Sequence, residues 1–420
     1  MRALGPVALL VLVLLAGCGG SDDAAAPETG SAQKQAGDVA RLLEGLDAYH
    51  PEPWHDITEE KFGAAARDLA DDWPQLGEDA RLVGLMRLLA LLGQGDGHSG
   101  IFPLDPAHDR ELHLFPVRLY EFSDGLFVVA APDRPELVGA RLEAVAGVPV
   151  DDAVRAVEPL VPADNESSRA ARLPQYLVVA EVLHGLGLTA DAGPAELTLV
   201  MPDGAPRTAT LAPVSASEYA ASYPDLFNPL VPQGLPTRPE PPYLSHRLRT
   251  RWLDTLEGGG TVYAAYNVTL GSTESFARRL EHAASRPEVE RVVLDLRHNP
   301  GGDTTTYAPL LDVLGTLDSV TVLVGRTTFS AAANLLAELE QRADLVLVGE
   351  PSGGSPNLFG DPVPVTLPES RLTAQVAGRR WSLAGEGDER TAFEPDRPIA
   401  LSSADFFGGI DPVLEEALRP

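Results

Sequence analysis

Lysine is almost missing from these 420 residues: only Lys34 and Lys61 occur. Past residue 61 no lysine can therefore act as a proton acceptor, and no phosphate loop with its lysine is present. Cysteine is scarcer still, with Cys18 alone, which excludes an intramolecular disulfide. Positive charge is short overall. Against 61 acidic residues stand 32 basic ones, a formal net charge of −29, so nucleic acid backbones and anionic membrane surfaces repel the chain. The histidines, His108 and His113 among them, form no metal-ligand spacing, and neither a metal nor a cofactor is expected. No internal repeat is visible. What is present is a chain long enough for two or three domains, with 44% hydrophobic residues to build their cores.

At the amino terminus Arg2 precedes an apolar run over 7–15, then Ala16, Gly17 and Cys18. The run is too short for a typical membrane span and has the build of an export signal. Leu15-Ala16-Gly17-Cys18 resembles the lipobox of bacterial lipoproteins, with a plain secretory peptide as the competing reading. That resemblance implies a signal peptide over 1–17, lipidation at Cys18, and a lipid anchor on the extracytoplasmic face of a bacterial cell membrane. Residues 18–37 lack periodicity and suit a flexible tether.

Apolar residues then recur at helical spacing from about 38 to 92, interrupted by Tyr49-His50-Pro51-Glu52-Pro53-Trp54-His55, whose prolines break a helix. The second stripe ends in Gly93-Gln94-Gly95-Asp96-Gly97-His98-Ser99-Gly100, a glycine-rich loop with one imidazole in it. Residues 112–214 change to strand periodicity, with a hairpin turn at Ser123-Asp124 and a helix expected around 173–186. Such a β-rich module offers a groove for an extended peptide. A proline-rich crossing over 224–242 leads to alternating strands and helices, which predicts βαβ units and a parallel sheet.

Within this last part, 320–324 reads as a strand buried on both faces and Ser330 stands where a helix begins, followed by Ala331, Ala332 and Ala333. A hydroxyl there is placed either as a nucleophile beside helix amides or as an ordinary N-cap. The strand at 292–296 runs into Arg297-His298-Asn299-Pro300-Gly301-Gly302. Its glycines leave bare N–H groups at the carboxyl end of a parallel strand, where ligands sit in open α/β sheets, although a tight turn has the same composition.

Four stretches together, Asp96-Gly97-His98-Ser99-Gly100, Val293 through Gly302, Thr327-Thr328-Phe329-Ser330-Ala331-Ala332-Ala333 and Val348-Gly349-Glu350-Pro351-Ser352-Gly353-Gly354, resemble the S41 family of tail-specific and tricorn-type serine peptidases in order and spacing. The resemblance runs over roughly 80–415 and takes in Pro395-Asp396 and Gly409-Ile410-Asp411-Pro412. It implies a mixed α/β fold: an N-terminal helical segment over 38–104 carrying His98, a β-rich and PDZ-like module over 105–215, and a crotonase-like catalytic domain over 216–420. It also implies an exported serine-type peptidase acting on a peptide or protein substrate. Ser330 matches the nucleophile, and Gly301 or Gly302 with the N–H of Ala331 matches the oxyanion hole. Tail-specific members use a lysine base, but Ser355 occupies that place and the domain has no lysine. His98 therefore matches the tricorn-type base, although the residue before it is Gly97 where that pattern has serine, and Asp96 or Ser99 is left to orient the ring. His298 is the rival imidazole and is expected to be a solvated turn residue. Glu389 falls nearest the family's acid, then Asp388, then Glu394. A non-catalytic peptide- or ligand-binding protein on the same scaffold is the alternative, with Ser330 a cap only. Arg326 is expected at the surface.

Overall fold

Residues 37–223, 241–246, 249–256 and 258–419 are described by the structure, a computed structural model. The signal peptide, Cys18, nearly all of the tether and most of the proline-rich crossing lie outside the described residues. The fold is mixed α/β. Three helices open it, α1 (Gly37–Tyr49), α2 (Glu59–Asp72) and α3 (Glu78–Ala90), one more than the two apolar stripes predict. Helix α2 has only Phe62 and Ala66 buried, so its apolar face is too narrow to stand out as a stripe.

Strands β1 (Arg118–Phe122), β2 (Gly125–Ala130), β3 (Arg141–Val145), β4 (Ala195–Val200) and β5 (Pro206–Leu211) pair antiparallel in that order. The turn at Ser123-Asp124 joins β1 and β2 as the sequence predicts. Between β3 and β4 come α4 (Val150–Val157), α5 (Glu166–Tyr176) and α6 (Ala180–Gly185). The single helix expected over 173–186 is divided. Pro174 lies in the last turn of α5, and Leu177, Val178 and Val179 separate it from α6. A proline has no N–H to continue the ladder, which accounts for a break close by.

The second half is built on a six-stranded sheet of β6 (Arg251–Thr255), β7 (Thr261–Tyr266), β8 (Arg291–Asp295), β9 (Ser319–Val324), β10 (Asp344–Gly349) and β13 (Arg397–Pro398), ordered β13-β10-β9-β8-β7-β6. Every neighbouring pair is parallel except β6 with β7. Helices α7 (Glu274–Ala284), α8 (Ala308–Leu314) and α9 (Ala331–Leu339) provide the crossovers, and α10 (Pro412–Ala417) covers the other face. Strand β7 shows why the run is apolar throughout: Val262, Ala264 and Tyr266 enter one core while Tyr263 and Ala265 enter the other.

A long hairpin, β11 (Leu358–Leu367) with β12 (Leu372–Trp381), is antiparallel and has no counterpart in the sequence reading. It joins the apolar core of α1, α3 and the β-rich sheet through Val365, Leu367, Leu372, Ala374 and Val376. A segment from the carboxyl-terminal half thus packs into the amino-terminal half. All the described residues belong to one compact unit.

The end of β8 is fixed by charge. Arg297 donates to Asp295 at 2.6 Å and to Asp411 at 2.8 and 2.9 Å, while Tyr263 donates to Asp295. Asp411 also caps α10 by accepting from the Leu414 amide. Both carboxylates are buried, so removing the cation leaves two charges without a counter-ion. Arg297→Ala is expected to lower unfolding stability by about 3–5 kcal/mol in chemical denaturation. A change under about 1 kcal/mol contradicts this account of the strand end.

Candidate active site

Strand β9 ends at Val324, and six residues later Ser330 precedes α9. Thr328 braces this turn, accepting from the Gly325 amide at 3.0 Å and donating to the Leu296 carbonyl at 2.8 Å. Ser330 has φ 55° and ψ −124°, a backbone conformation that a side chain rarely adopts. Strain of this kind is held only where surrounding contacts over-determine it, and it lifts a nucleophile clear of its strand and helix. The hydroxyl makes no capping bond to α9. Instead Ser330 Oγ stands 3.0 Å from His98 Nε2, across 232 residues of sequence.

Opposite Ser330 lies the Asn299–Gly302 turn. Asn299 is fully buried and is its anchor: the side-chain amide donates to Tyr266 O at 2.8 Å, Oδ1 accepts from the Gly301 amide at 2.9 Å, and the carbonyl accepts from the Phe329 amide at 3.0 Å. Gly301 has φ +99°, and a Cβ on it would lie 2.6 Å from Ser330 Cβ and 2.8 Å from Ala331 N. Only glycine permits this approach. Because Asn299 takes the Gly301 N–H, the donors left for an oxyanion are Gly302 and Ala331, whose N–H groups meet no acceptor among the described residues.

The His98 loop is carried as an extra edge on the β11–β12 hairpin. Gly100 and Gln375 exchange backbone hydrogen bonds of 2.9 and 2.8 Å, and Ser99 Oγ accepts from the Ala377 amide at 2.9 Å. From the other side Asp164 accepts from the Gly97 amide at 2.7 Å, and its backbone carbonyl from the Gly95 amide at 2.9 Å. Arg172 Nη1 donates to the carbonyls of Gly97 and Pro162, both at 2.6 Å. A Cβ on Gly97 would lie 2.8 Å from Asp164 Oδ1 and 3.1 Å from Arg172 Nη1, so glycine at this place is what lets both groups close on the loop. The imidazole stacks on Phe329, ring centroids 4.6 Å apart. Burial, and after it the Arg172 guanidinium, push His98 down to about 4, so Nε2 is an unprotonated acceptor at neutral pH.

None of the acids expected to orient the ring is brought to it. Asp388 is held by Arg390, whose main-chain amide and guanidinium both donate to its carboxylate, and which also reaches Glu340. Glu389 is exposed on the wall of a surface cleft, and Glu394 is exposed. Asp96 is nearer but engaged: Oδ2 accepts from His50 Nε2 at 3.0 Å and Oδ1 from the Ser99 amide at 3.0 Å. The Glu52 amide donates to His50 Nδ1, which fixes the ring's proton on Nε2. Burial works to raise Asp96, yet its hydrogen bond from His50 holds it below the usual carboxylate range. His98 Nδ1 is buried without a hydrogen-bond partner among the described residues, and the Phe359 main-chain carbonyl acts on the ring only as a minor influence that favours its charged form.

His298 is not the solvated turn residue the sequence suggests. It is buried against Tyr243, and burial pushes it down to about 4. Arg326 likewise leaves the surface, donating to Glu350 at 2.7 Å and to the Glu121 carbonyl at 2.8 Å. Ser355, at the place of the absent lysine, donates through its hydroxyl to Thr391 O and through its amide to Asp164 Oδ2 at 3.2 Å. Among the described residues no cluster of His, Cys, Asp and Glu is arranged to hold a metal.

Asp164 and Asn165 escape the sequence reading, which starts the helix near 173, whereas α5 begins at Glu166 with Asn165, a common capping residue, just ahead of it. Asn165 caps α5 and donates to Ser352 O at 3.0 Å and Thr391 O at 2.6 Å, so the pair ties the histidine loop to the 352–355 loop. Burial pushes the Asp164 carboxyl up to about 7. The folded state therefore keeps a proton that the unfolded chain releases near pH 4, and stability from this group is lost as pH rises through about 7. Asp164→Asn is expected to flatten that slope of unfolding free energy between pH 4 and 7. An unchanged slope contradicts it.

No family model matches the sequence, and no curated protein matches it. Solved structures do. A serine-to-alanine mutant of CPAF superimposes with a TM-score of 0.62 at 14% identity, covering 90% of this chain and 94% of that one. Mature CPAF gives 0.61 at 14% identity over 91% and 95%, and mature CPAF complexed with lactacystin gives 0.61 over 91% and 97%. The chain shares the fold of CPAF along nine-tenths of its length.

Proposed function

We propose that this chain is a serine-type peptidase of the S41 kind. The 3.0 Å approach of His98 Nε2 to Ser330 Oγ carries the reading, at a strained serine facing two unpartnered amides. His98 takes the hydroxyl proton as Oγ attacks the substrate carbonyl, and the N–H groups of Gly302 and Ala331 receive the oxyanion. The imidazolium then gives its proton to the leaving amine, and water releases the acyl group by the same steps in reverse. No carboxylate meets Nδ1, and the imidazolium is favoured only by the charge of Asp96 and the nearby Phe359 carbonyl. Export and anchoring at Cys18 on the outer face of the membrane rest on the sequence alone and belong to the same proposal.

The unpartnered Nδ1 of His98 favours a second reading, a peptide-binding protein that retains the scaffold without turnover. Cleavage of a peptide library by the purified chain separates the two. The peptidase reading expects turnover that Ser330→Ala abolishes while the protein stays folded, and absence of turnover in folded wild type favours the binder. The pH profile adds a second check. Since His98 titrates near 4, kcat/KM should stay level down to about pH 5 and fall through about pH 4. An acid limb near 6.5 contradicts the buried, unprotonated base.

A further inference from the structure

A cavity of about 280 Å³ opens beside the nucleophile, between β1 and α5 on one side and the Pro300 and Thr327–Phe329 backbones on the other. It lies just below the roughly 300–1,000 Å³ of small-molecule sites, which suits one substrate side chain. Its charged lining is Arg118, Arg172 and Arg326, with no aspartate or glutamate, in a protein with almost twice as many acids as bases. Arg326 is paired with Glu350, and Arg118 lies over the Tyr223 ring at 4.5 Å. Arg172 differs. Only its Nη1 is hydrogen-bonded, to two carbonyls, and it forms no ion pair among the described residues, Asp164 and Asp96 acting on it only through space. Its Nε and Nη2 have no acceptor there, while the guanidinium sits 4.6 Å over the ring of Phe329, the residue before the nucleophile. A fixed planar cation with two free donors on a cavity wall fits a carboxylate in two parallel hydrogen bonds.

Resting on the peptidase reading, we propose that this cavity is a specificity subsite for a substrate carboxylate, held by Arg172 with Arg118 and Arg326 supplying positive potential. The carboxylate belongs to an Asp or Glu side chain near the scissile bond. General attraction is not the source of such a preference. At a net charge of −29 the protein as a whole repels acidic peptides, so selectivity for them has to arise locally.

Quenched fluorogenic peptides of one sequence with amidated carboxyl termini, and with Glu, Gln or Lys walked through the positions flanking the cleaved bond, test this on the wild-type chain. At one position Glu should exceed Gln in kcat/KM by at least about tenfold. Glu equal to Gln throughout overturns the proposal. Arg172→Gln should bring the Glu-to-Gln ratio, read within that variant and so independent of its absolute rate, near one, and a full ratio in that variant also overturns it. Should the variant not fold, the wild-type ratio at low and high salt decides, since a charge-based preference shrinks with salt and any other does not. If wild type neither labels with a fluorophosphonate nor cleaves, the peptidase reading fails on its own. Fluorescence anisotropy binding of the same peptides then still ranks Glu against Gln.

Discussion

Everything functional in this molecule depends on one contact, the 3.0 Å between His98 Nε2 and Ser330 Oγ, made by groups 232 residues apart. Neither group is placed by its own segment. His98 sits in a glycine-rich loop with no regular structure of its own, and it is held because the loop runs as an added edge on a hairpin from the carboxyl-terminal half. The same loop is gripped from the other side by Asp164 and Arg172, which belong to the middle of the chain. Three distant parts of the sequence must therefore fold together before the imidazole has a position.

The serine side is held by a comparable device. Asn299 binds the turn after β8 to Tyr266 at the end of β7 and to Phe329 beside the nucleophile, while Thr328 fastens the same loop to Leu296. These bonds hold Ser330 in its strained conformation, and Gly301 lets the opposing backbone approach closely enough to offer amides. Burial of the imidazole keeps it unprotonated, and with Nδ1 unpartnered among the described residues the ring is oriented by its stacking on Phe329 and its contact with Ser330. With no carboxylate on Nδ1 to answer the imidazolium charge, the field at His98 is set mainly by burial, Arg172 and Asp96.

Much of the carboxyl-terminal half was legible because βαβ units announce themselves locally. The strands around 262, 293, 321 and 346 are apolar runs ended by glycine or a turn, and Ser330, Gly301 and Gly302 stand at their carboxyl ends, where such sheets gather ligands. The β11–β12 hairpin was not legible, since its prolines and alternating polar residues do not distinguish a strand from a loop. With the hairpin went the Phe359 carbonyl, a main-chain group that carries no sequence signal at all. Asp388 and Glu389 were candidates only by counting along the chain, and the structure gives Asp388 to Arg390 and leaves Glu389 exposed. Asp164 and Arg172 were invisible for a different reason. Their importance comes from closeness to Gly97, which no spacing along the chain encodes.

The central claim is that His98 activates Ser330, and it is tested most directly by the rate at which a fluorophosphonate modifies the folded chain. The account predicts a single adduct that maps to Ser330, formed at least about 100-fold more slowly when His98 is replaced by alanine in a protein that remains folded. Failure of folded wild type to form the adduct, or an equal rate without the imidazole, would contradict it.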